Sequence, residues 1–283
     1  MKIWGITDVG LVRKENQDAY AVESRDGFDI CAVCDGMGGA AAGKLASEIA
    51  VRTYMAALRE TLTEGMDLDA VQSAMTAAAS QANRAIREEA ARKPEYAGMG
   101  TTLVSAVSGK DGIVVANVGD SRAYRITAEG IQRITRDHSL VESMVERGDI
   151  TEEEARRHPN RNLITRALGT DETVESDGYR TALSAGEYLL LCTDGLTITV
   201  TDQEMLFEIL HGGAEESCLS RLLAIAREHG APDNVTAVLL RQTEGGELLW
   251  SSTSEKFWTT AMRSWSASAP AAWRWSTRPS ATT

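Results

Sequence analysis

No window of this chain approaches the ~18–20 uninterrupted apolar residues needed to cross a bilayer, and Met1 to Val9 lacks the basic start and apolar middle of a signal peptide. A cytoplasmic protein is the expectation. Basic residues are in deficit, with 29 Lys and Arg against 41 Asp and Glu and a net charge of −12. Nucleic acid is thereby disfavoured as a partner, because gripping its backbone depends on Lys and Arg neutralising phosphates. A cationic cofactor fits better. Cysteine is confined to Cys31, Cys34, Cys192 and Cys218. The one C-x-x-C spacing misleads, since residues three apart in a strand point to opposite faces and cannot share an ion or close a disulfide. Reduced core thiols are expected. Nucleotide motifs are missing too: Gly36, Gly38, Gly39 and Gly43 precede a helix, but not as G-x-G-x-x-G, and no Walker lysine with its Ser or Thr follows. No internal repeat recurs at solenoid or propeller periods.

What is present is a set of acids at the ends of apolar runs. Cys31 to Gly36 (CAVCDG) and Leu189 to Gly195 (LLLCTDG) both finish in Asp-Gly, and Asp233 stands just ahead of a third run, Val235 to Leu240. Asp-Gly is a common hairpin signal, yet Met37, Gly38 and Gly39 make the first stretch too long and too glycine-rich for a two-residue turn. An Asp at the end of a wholly apolar strand sits at the rim of a dry core, where bare negative charge is costly unless something positive shares the site. Three such acids delivered to one place suit a divalent metal ion. Oxygen-only ligands favour Mg²⁺ or Mn²⁺ over Zn²⁺, which normally recruits His or Cys.

Lys2 to Thr7, Tyr20 to Glu23 and Asp29 to Cys34 read as strands. The period then turns helical: Val51, Met55, Leu58 and Leu62 form one stripe. Val71, Met75, Ala78, Ala82 and Ile86 form another on a helix from Leu68 to about Ala91, capped by Asp67 and ended by Pro94. Strands return at Leu103 to Val107, Ile113 to Val118, Ala123 to Ile126 and Ile131 to Thr135, joined by turns so short that neighbours must be antiparallel. Ser139 to Arg147 and Thr151 to Arg157 read as short helices, the second opening on a Thr151 and Glu154 capping box. Further strands fall at Asp177 to Thr181, Glu187 to Cys192 and Asn234 to Arg241, and further helices at Asp202 to Leu210 and Glu215 to Glu228. Elements grouped rather than alternating argue for an α+β fold, a four-layer α-β-β-α sandwich of two mainly antiparallel sheets flanked by helices.

One large domain, 1–242, is expected, with a flap about 140–175 that takes in irregular sequence between Leu163 and Val174. Beyond it, 243–283 is a Ser/Thr/Ala-rich tail carrying Trp250, Trp258, Trp265, Trp273 and Trp275. Disorder is the default for such a composition. The Trp spacing, with Lys256, Arg263, Arg274 and Arg278 interspersed, would alternatively suit a membrane surface or a partner groove.

Several motifs follow one another in order: Arg13-Lys14-Glu15-Asn16-Gln17-Asp18, Asp35-Gly36-Met37-Gly38-Gly39, Gly100-Thr101-Thr102, Asn117 to Tyr124 (NVGDSRAY), Asp137-His138-Ser139, Cys192 to Leu196 (CTDGL) and Asp233-Asn234. In order and spacing the chain resembles the PPM family of metal-dependent serine/threonine protein phosphatases, also called type 2C, and most of all its compact bacterial branch. The resemblance covers about Met1 to Gln242. It implies hydrolysis of phosphoserine and phosphothreonine in proteins by a hydroxide bridging two Mg²⁺ or Mn²⁺ ions, while the ions and an arginine hold the phosphate. Asp35 would bridge the pair, the Gly36 carbonyl would ligate one ion, and Asp194 with Asp233 the other. Asp120 would help Asp194 hold a labile third ion. Arg13 would take two phosphate oxygens through its planar guanidinium, and Asp18, Gln17 and Asn234 would support the ligands from behind.

Two departures from the family pattern stand out. Gln17 replaces the Glu of many members and brings no charge to a water-mediated metal contact. Met37 replaces the His of animal members and cannot donate a proton, so any general acid for the leaving seryl oxygen is another group or a metal-bound water. His138, at a helix start, is more readily structural. Phosphorylated proteins are the implied substrates, and a cognate Ser/Thr kinase the implied counterpart. The rival reading is a pseudophosphatase that binds phosphoproteins without turning them over. Loss of Asp35, Asp194 or Asp233 would favour it, and all three are present.

Overall fold

A computed structural model describes residues 1–243. The tail, with its expected disorder and its tryptophans, lies outside the described residues. The strands are β1 (Lys2–Asp8), β2 (Asp18–Arg25), β3 (Phe28–Met37), β4 (Gly100–Thr101), β5 (Leu103–Gly109), β6 (Gly112–Val118), β7 (Arg122–Thr127), β8 (Gly130–Arg133), β9 (Asp177–Thr181), β10 (Tyr188–Cys192) and β11 (Val235–Arg241). One sheet runs β1-β11-β10-β7-β8; the other runs β2-β3-β5-β6-β9, with β4 beside the end of β3. Every neighbouring pair is antiparallel. The helices are α1 (Ala40–Thr61), α2 (Leu68–Ala90), α3 (Leu140–Glu146), α4 (Glu152–Arg157), α5 (Asp194–Thr197), α6 (Asp202–His211) and α7 (Cys218–Glu228).

Three apolar layers separate four structural ones. Cys31, Val33, Val104, Val115, Leu189, Leu191, Val238 and Leu240 pack between the sheets. Ile30, Ala32, Cys34, Leu103 and Val107 face the other way, against Tyr54, Leu58, Met75 and Ile86 of α1 and α2. Leu190, Cys192, Val235, Ala237 and Leu239 turn toward Met205, Ile209 and Leu222 of α6 and α7. A strand covered on both faces needs no polar alternation, which is why β3, β10 and β11 read as unbroken apolar runs. The α-β-β-α sandwich expected from grouped elements is the fold. Cys31 and Cys34 lie in different layers, and all four cysteines are free and buried.

Local chemistry sets most element ends. Asp67 accepts from the Ala70 N–H at 2.8 Å and starts α2; Thr151 with Glu154 and Thr201 with Glu204 close capping boxes at α4 and α6. Some ends differ from expectation. The strand expected to reach Thr135 stops at Arg133, because the Thr135 hydroxyl accepts the Ala123 N–H (3.0 Å) in place of a ladder bond. The helix expected from Glu215 begins with a single 3₁₀ turn and becomes α-helical only at Cys218. Helix α2 ends at Ala90, ahead of Pro94, which opens a 3₁₀ turn of its own. Within the segment expected as a flap, the stretch after Ala167 is tied down. Leu168 is fully buried and exchanges backbone bonds with Thr101 (2.9 and 3.0 Å), and Asn83 accepts from Gly169 N–H (2.6 Å) while donating to the Asp171 carbonyl (3.0 Å).

Candidate active site

Strand register brings the first two acids together. Asp18 opens β2 directly opposite Asp35 near the end of β3, so both carboxylates leave the same face with Cβ atoms about 5 Å apart. The backbone at Asp35 is held firmly: its N–H donates to Thr102 Oγ1 (2.9 Å), and its carbonyl accepts from Thr102 N–H (2.9 Å) and Thr101 Oγ1 (2.7 Å). Thr102 Oγ1 also meets Ser121 Oγ at 2.7 Å, next to Asp120 in the turn leaving β6. In the facing sheet, Thr193 precedes the four-residue α5, whose first residue is Asp194. The Thr193 hydroxyl donates to Asp18 Oδ2 (2.9 Å) and accepts from Thr236 N–H (3.1 Å), linking the two sheets beneath the acids. Asp233 stands just ahead of β11, and Arg13 Nη2 donates to its Oδ2 at 2.7 Å.

Asn234 organises the loop that carries Arg13. This buried amide donates to the carbonyls of Val9 (2.9 Å) and Glu15 (3.0 Å) and accepts from Gln17 N–H (2.9 Å). Gln17 in turn reaches the start of α1, with Nε2 donating to the Gly39 carbonyl at 2.7 Å and its own carbonyl accepting from Gly36 N–H and from Ser47 Oγ. Gly36 and Gly43 meet backbone to backbone. A Cβ on Gly36 would lie 2.1 Å from the Gly43 carbonyl oxygen, and one on Gly43 2.8 Å from the Gly36 oxygen. Gly36 and Gly43 therefore let β3 and α1 approach closely, with the Gly36 carbonyl beside Gly43.

The acids press on one another electrostatically. Burial, then the charges of Asp194 and Asp233, lift the Asp18 carboxyl to about 7 against hydrogen bonds from Thr236 and Thr193. Burial and the charges of Asp194 and Asp137 carry Asp120 to about 8. Asp194 rises to about 6 through burial and Asp233, opposed by a hydrogen bond from Asp35 and by the Arg122 charge. Asp35 is raised well above its ordinary value, by burial and then by Asp18, Asp194, Asp120 and Asp233. Five carboxylates thus share one end of the sandwich. Arg122 is locked into a fork with the buried Asp137 (2.6 to 3.0 Å), and its charge holds down both Asp120 and Asp194.

Two carboxylate oxygens at this end, Asp18 Oδ1 and Asp194 Oδ1, are buried without a hydrogen-bond partner. A lone pair removed from water among like charges is expensive unless a cation faces it, and the donor set consists wholly of oxygens, which suits hard divalent ions. As the side chains stand, no three of the described His, Cys, Asp and Glu residues are drawn around one point; Asp233 is turned to Arg13. His138 is committed elsewhere. Its Nδ1 accepts from Gly119 N–H (3.0 Å), its Nε2 lies 3.2 Å from Asp177 Oδ2, and burial lowers its pKa.

Sequence reasoning named the acids, Arg13, Gln17 and Asn234, but gave no role to Thr102, Ser121, Thr193 or the Arg122 and Asp137 pair. Their signal is faint. Ser121, Arg122 and Thr193 lie within two residues of an acid already singled out, Asp137 stands beside His138, and Thr102 stands in a motif with no role assigned to any member.

A two-sheet sandwich with five aspartates pressing on one another at one end, one of them paired with an arginine, is the arrangement the fold presents. The chain belongs to the protein phosphatase 2C family, whose model matches residues 12–239. It is 37% identical to the serine/threonine phosphatase stp of Listeria monocytogenes over 83% of this chain and 94% of that one. It is also 37% identical to the serine/threonine protein phosphatase PstP of Mycobacterium tuberculosis, over 82% of this chain and 43% of that one. The crystal structure of the serine/threonine phosphatase Stp1 from Staphylococcus aureus superposes with a TM-score of 0.79 at 36% identity, covering 86% of this chain and 95% of that one. No helix among the described residues is long and apolar enough to cross a membrane.

Proposed function

We propose that the protein hydrolyses phosphoserine and phosphothreonine in other proteins with the help of two Mg²⁺ or Mn²⁺ ions and a labile third, and that it works in the cytoplasm opposite a Ser/Thr kinase. The observation that carries this is the crowding of Asp18, Asp35, Asp120, Asp194 and Asp233 with partnerless buried oxygens beside Arg13. Asp35, Asp194, Asp233 and the Gly36 carbonyl would hold the ion pair, with Asp120 and Asp194 on the third. When bound, such ions supply what phosphomonoester hydrolysis lacks at neutral pH: water activated as a nucleophile, and positive charge against the phosphoryl oxygens.

The chain's own contribution is orientation. Thr193 holds Asp18 Oδ2, and the Thr101 and Thr102 contacts fix the backbone of Asp35, so these two positions are held by the chain's own bonds. Arg13 has a hydrogen-bonded partner in Asp233, and its half-exposed guanidinium can exchange that carboxylate for two oxygens of an incoming phosphate. Asn234 keeps the Arg13 loop in register with Asp233. The identities to named serine/threonine phosphatases support the same reading.

The test is hydrolysis of a small aryl phosphate with and without Mn²⁺, comparing the wild type with Asp35→Asn. Metal-dependent turnover that falls at least about a hundredfold in the variant is expected. Metal-independent turnover, or a variant as active as the wild type, contradicts the proposal. A wild type that binds phosphopeptide yet turns nothing over favours the pseudophosphatase.

A further inference from the structure

Large apolar side chains on a folded surface cost hydration free energy, and a cluster of them beside a reactive site calls for an occupant. Among the described residues, five large hydrophobics are strongly exposed: Leu11 (54%), Val12 (67%), Leu163, Ile198 (46%) and Phe207. Three of these border the acids. Leu11 and Val12 run directly into Arg13, and Ile198 ends the helix that begins at Asp194, its N–H donating to the Asp194 carbonyl at 2.8 Å.

Their exposure is not the looseness of a free loop. Leu11 N–H donates to the Ala231 carbonyl (2.9 Å), Gly10 N–H to Asp8 Oδ1 (2.8 Å), and Asn234 bonds the carbonyls of Val9 and Glu15 on either side. Gly10, at φ +78°, lets the loop press so close that a Cβ there would lie 2.2 Å from the Asp233 carbonyl oxygen. At the other border of the 229–233 loop, His229 Nδ1 lies 2.7 Å from the Thr199 carbonyl, next to Ile198. Leu11 and Ile198 thus sit on segments tied to the same short loop, the one that ends in Asp233.

We infer that Leu11, Val12 and Ile198 form a preorganised apolar rim that selects phosphoproteins carrying a large apolar side chain two residues from the phosphorylated serine or threonine. The inference rests on the phosphatase reading above. Its occupant follows from continuity with Arg13: Leu11 is two residues from the arginine, at most about 7 Å of backbone, and two residues of an extended substrate span about the same length. A phosphate gripped at Arg13 therefore leaves the side chain two positions away within reach of Leu11 and Val12. A rim fixed by backbone hydrogen bonds loses little freedom on binding, so burial there goes directly into selectivity.

The experiment uses the full chain with Mn²⁺ and three kinds of substrate: phosphothreonine peptides with Leu at the second position before or after the phosphoresidue, the same peptides with Ser there, and a small aryl phosphate that ends short of the rim. The wild type is expected to favour one Leu peptide over its Ser counterpart by about tenfold in kcat/KM, chiefly through KM. Leu11→Ser combined with Val12→Ser brings that preference below about twofold, without changing the ratio of Ser-peptide to aryl phosphate turnover; Ile198→Ser alone gives a partial loss. A wild type indifferent to Leu against Ser, or a double variant that keeps the preference, overturns the rim. If the wild type turns over none of the substrates, the phosphatase reading fails, and fluorescence anisotropy of labelled Leu and Ser peptides decides the rim by itself. Thermal melting of each variant checks folding.

Discussion

The substitution Asp194→Asn should make the metal-free protein more stable while weakening its hold on cations. The Asp194 carboxyl titrates at about 6 in the folded chain against an ordinary 3.8, because burial and the Asp233 charge oppose its ionisation. The sign follows from linkage. A carboxyl whose pKa is raised on folding binds its proton more tightly in the native state, so its charge costs the fold nothing well below pH 4. The cost then grows between about 4 and 6 and stays constant above. A shift of about two units at 1.36 kcal/mol each sets the ceiling near 3 kcal/mol at pH 8, and relaxation of the cluster leaves about 1–3 kcal/mol. The asparagine side chain removes that charge while keeping nearly the same shape, and its NH₂ can donate to a neighbouring carboxylate. The assay is urea denaturation in EDTA at pH 8 and pH 4. The variant should be the more stable at pH 8, with most of the difference gone at pH 4. Saturating Mn²⁺ should reverse the order, because a ligand that binds only the native state stabilises whichever protein binds it more tightly. A variant less stable than the wild type at pH 8 without metal would refute the account of mutual repulsion.

Arg13→Gln should raise KM for an aryl phosphate by about tenfold or more and, by removing the 2.7 Å partner of Asp233, tighten Mn²⁺ binding up to about fivefold in calorimetry, the scale of a half-exposed ion pair. Gln17→Glu should strengthen Mn²⁺ binding several-fold by adding a carboxylate, yet lose about 1 kcal/mol of metal-free stability as the Nε2 bond to the Gly39 carbonyl disappears, both readable by calorimetry and chemical melting. Asn234→Ala strips partners from the Val9 and Glu15 carbonyls and the Gln17 N–H and should cost about 2–3 kcal/mol of stability by urea melting, with aryl phosphate turnover falling as the Arg13 loop loses its register.

The layers of the fold were legible because covered strands leave a local trace. Unbroken runs at 31–34, 189–192 and 235–240 announce burial on both faces, and the acids at their ends stand out against them. What leaves no such trace is a single hydroxyl or charge whose partner lies far along the chain. Thr193 and Asp18 are 175 residues apart, and nothing periodic marks either as the other's partner. Helix α5 is four residues long, too short to show a 3.6-residue period, so the start of a helix at Asp194 could not be read in advance. The glycines after Asp35 read as too many for a two-residue hairpin; the backbone contact between β3 and α1 emerges only when Gly43 is seen against Gly36.

The pairing of Arg13 with Asp233 carries the same lesson further. The family resemblance implied different ligands for these residues, phosphate for the arginine and a cation for the aspartate, and said nothing of a direct contact between them. In the folded chain each is the other's counter-charge at 2.7 Å. A phosphate that takes Arg13 leaves Asp233 facing a crowd of acids with its guanidinium partner gone, and a cation that takes Asp233 frees Arg13 for an anion. On the function proposed above, with phosphate at Arg13 and a cation at Asp233, binding of each should favour the other. That coupling is a property of the pair, and neither residue alone could have announced it.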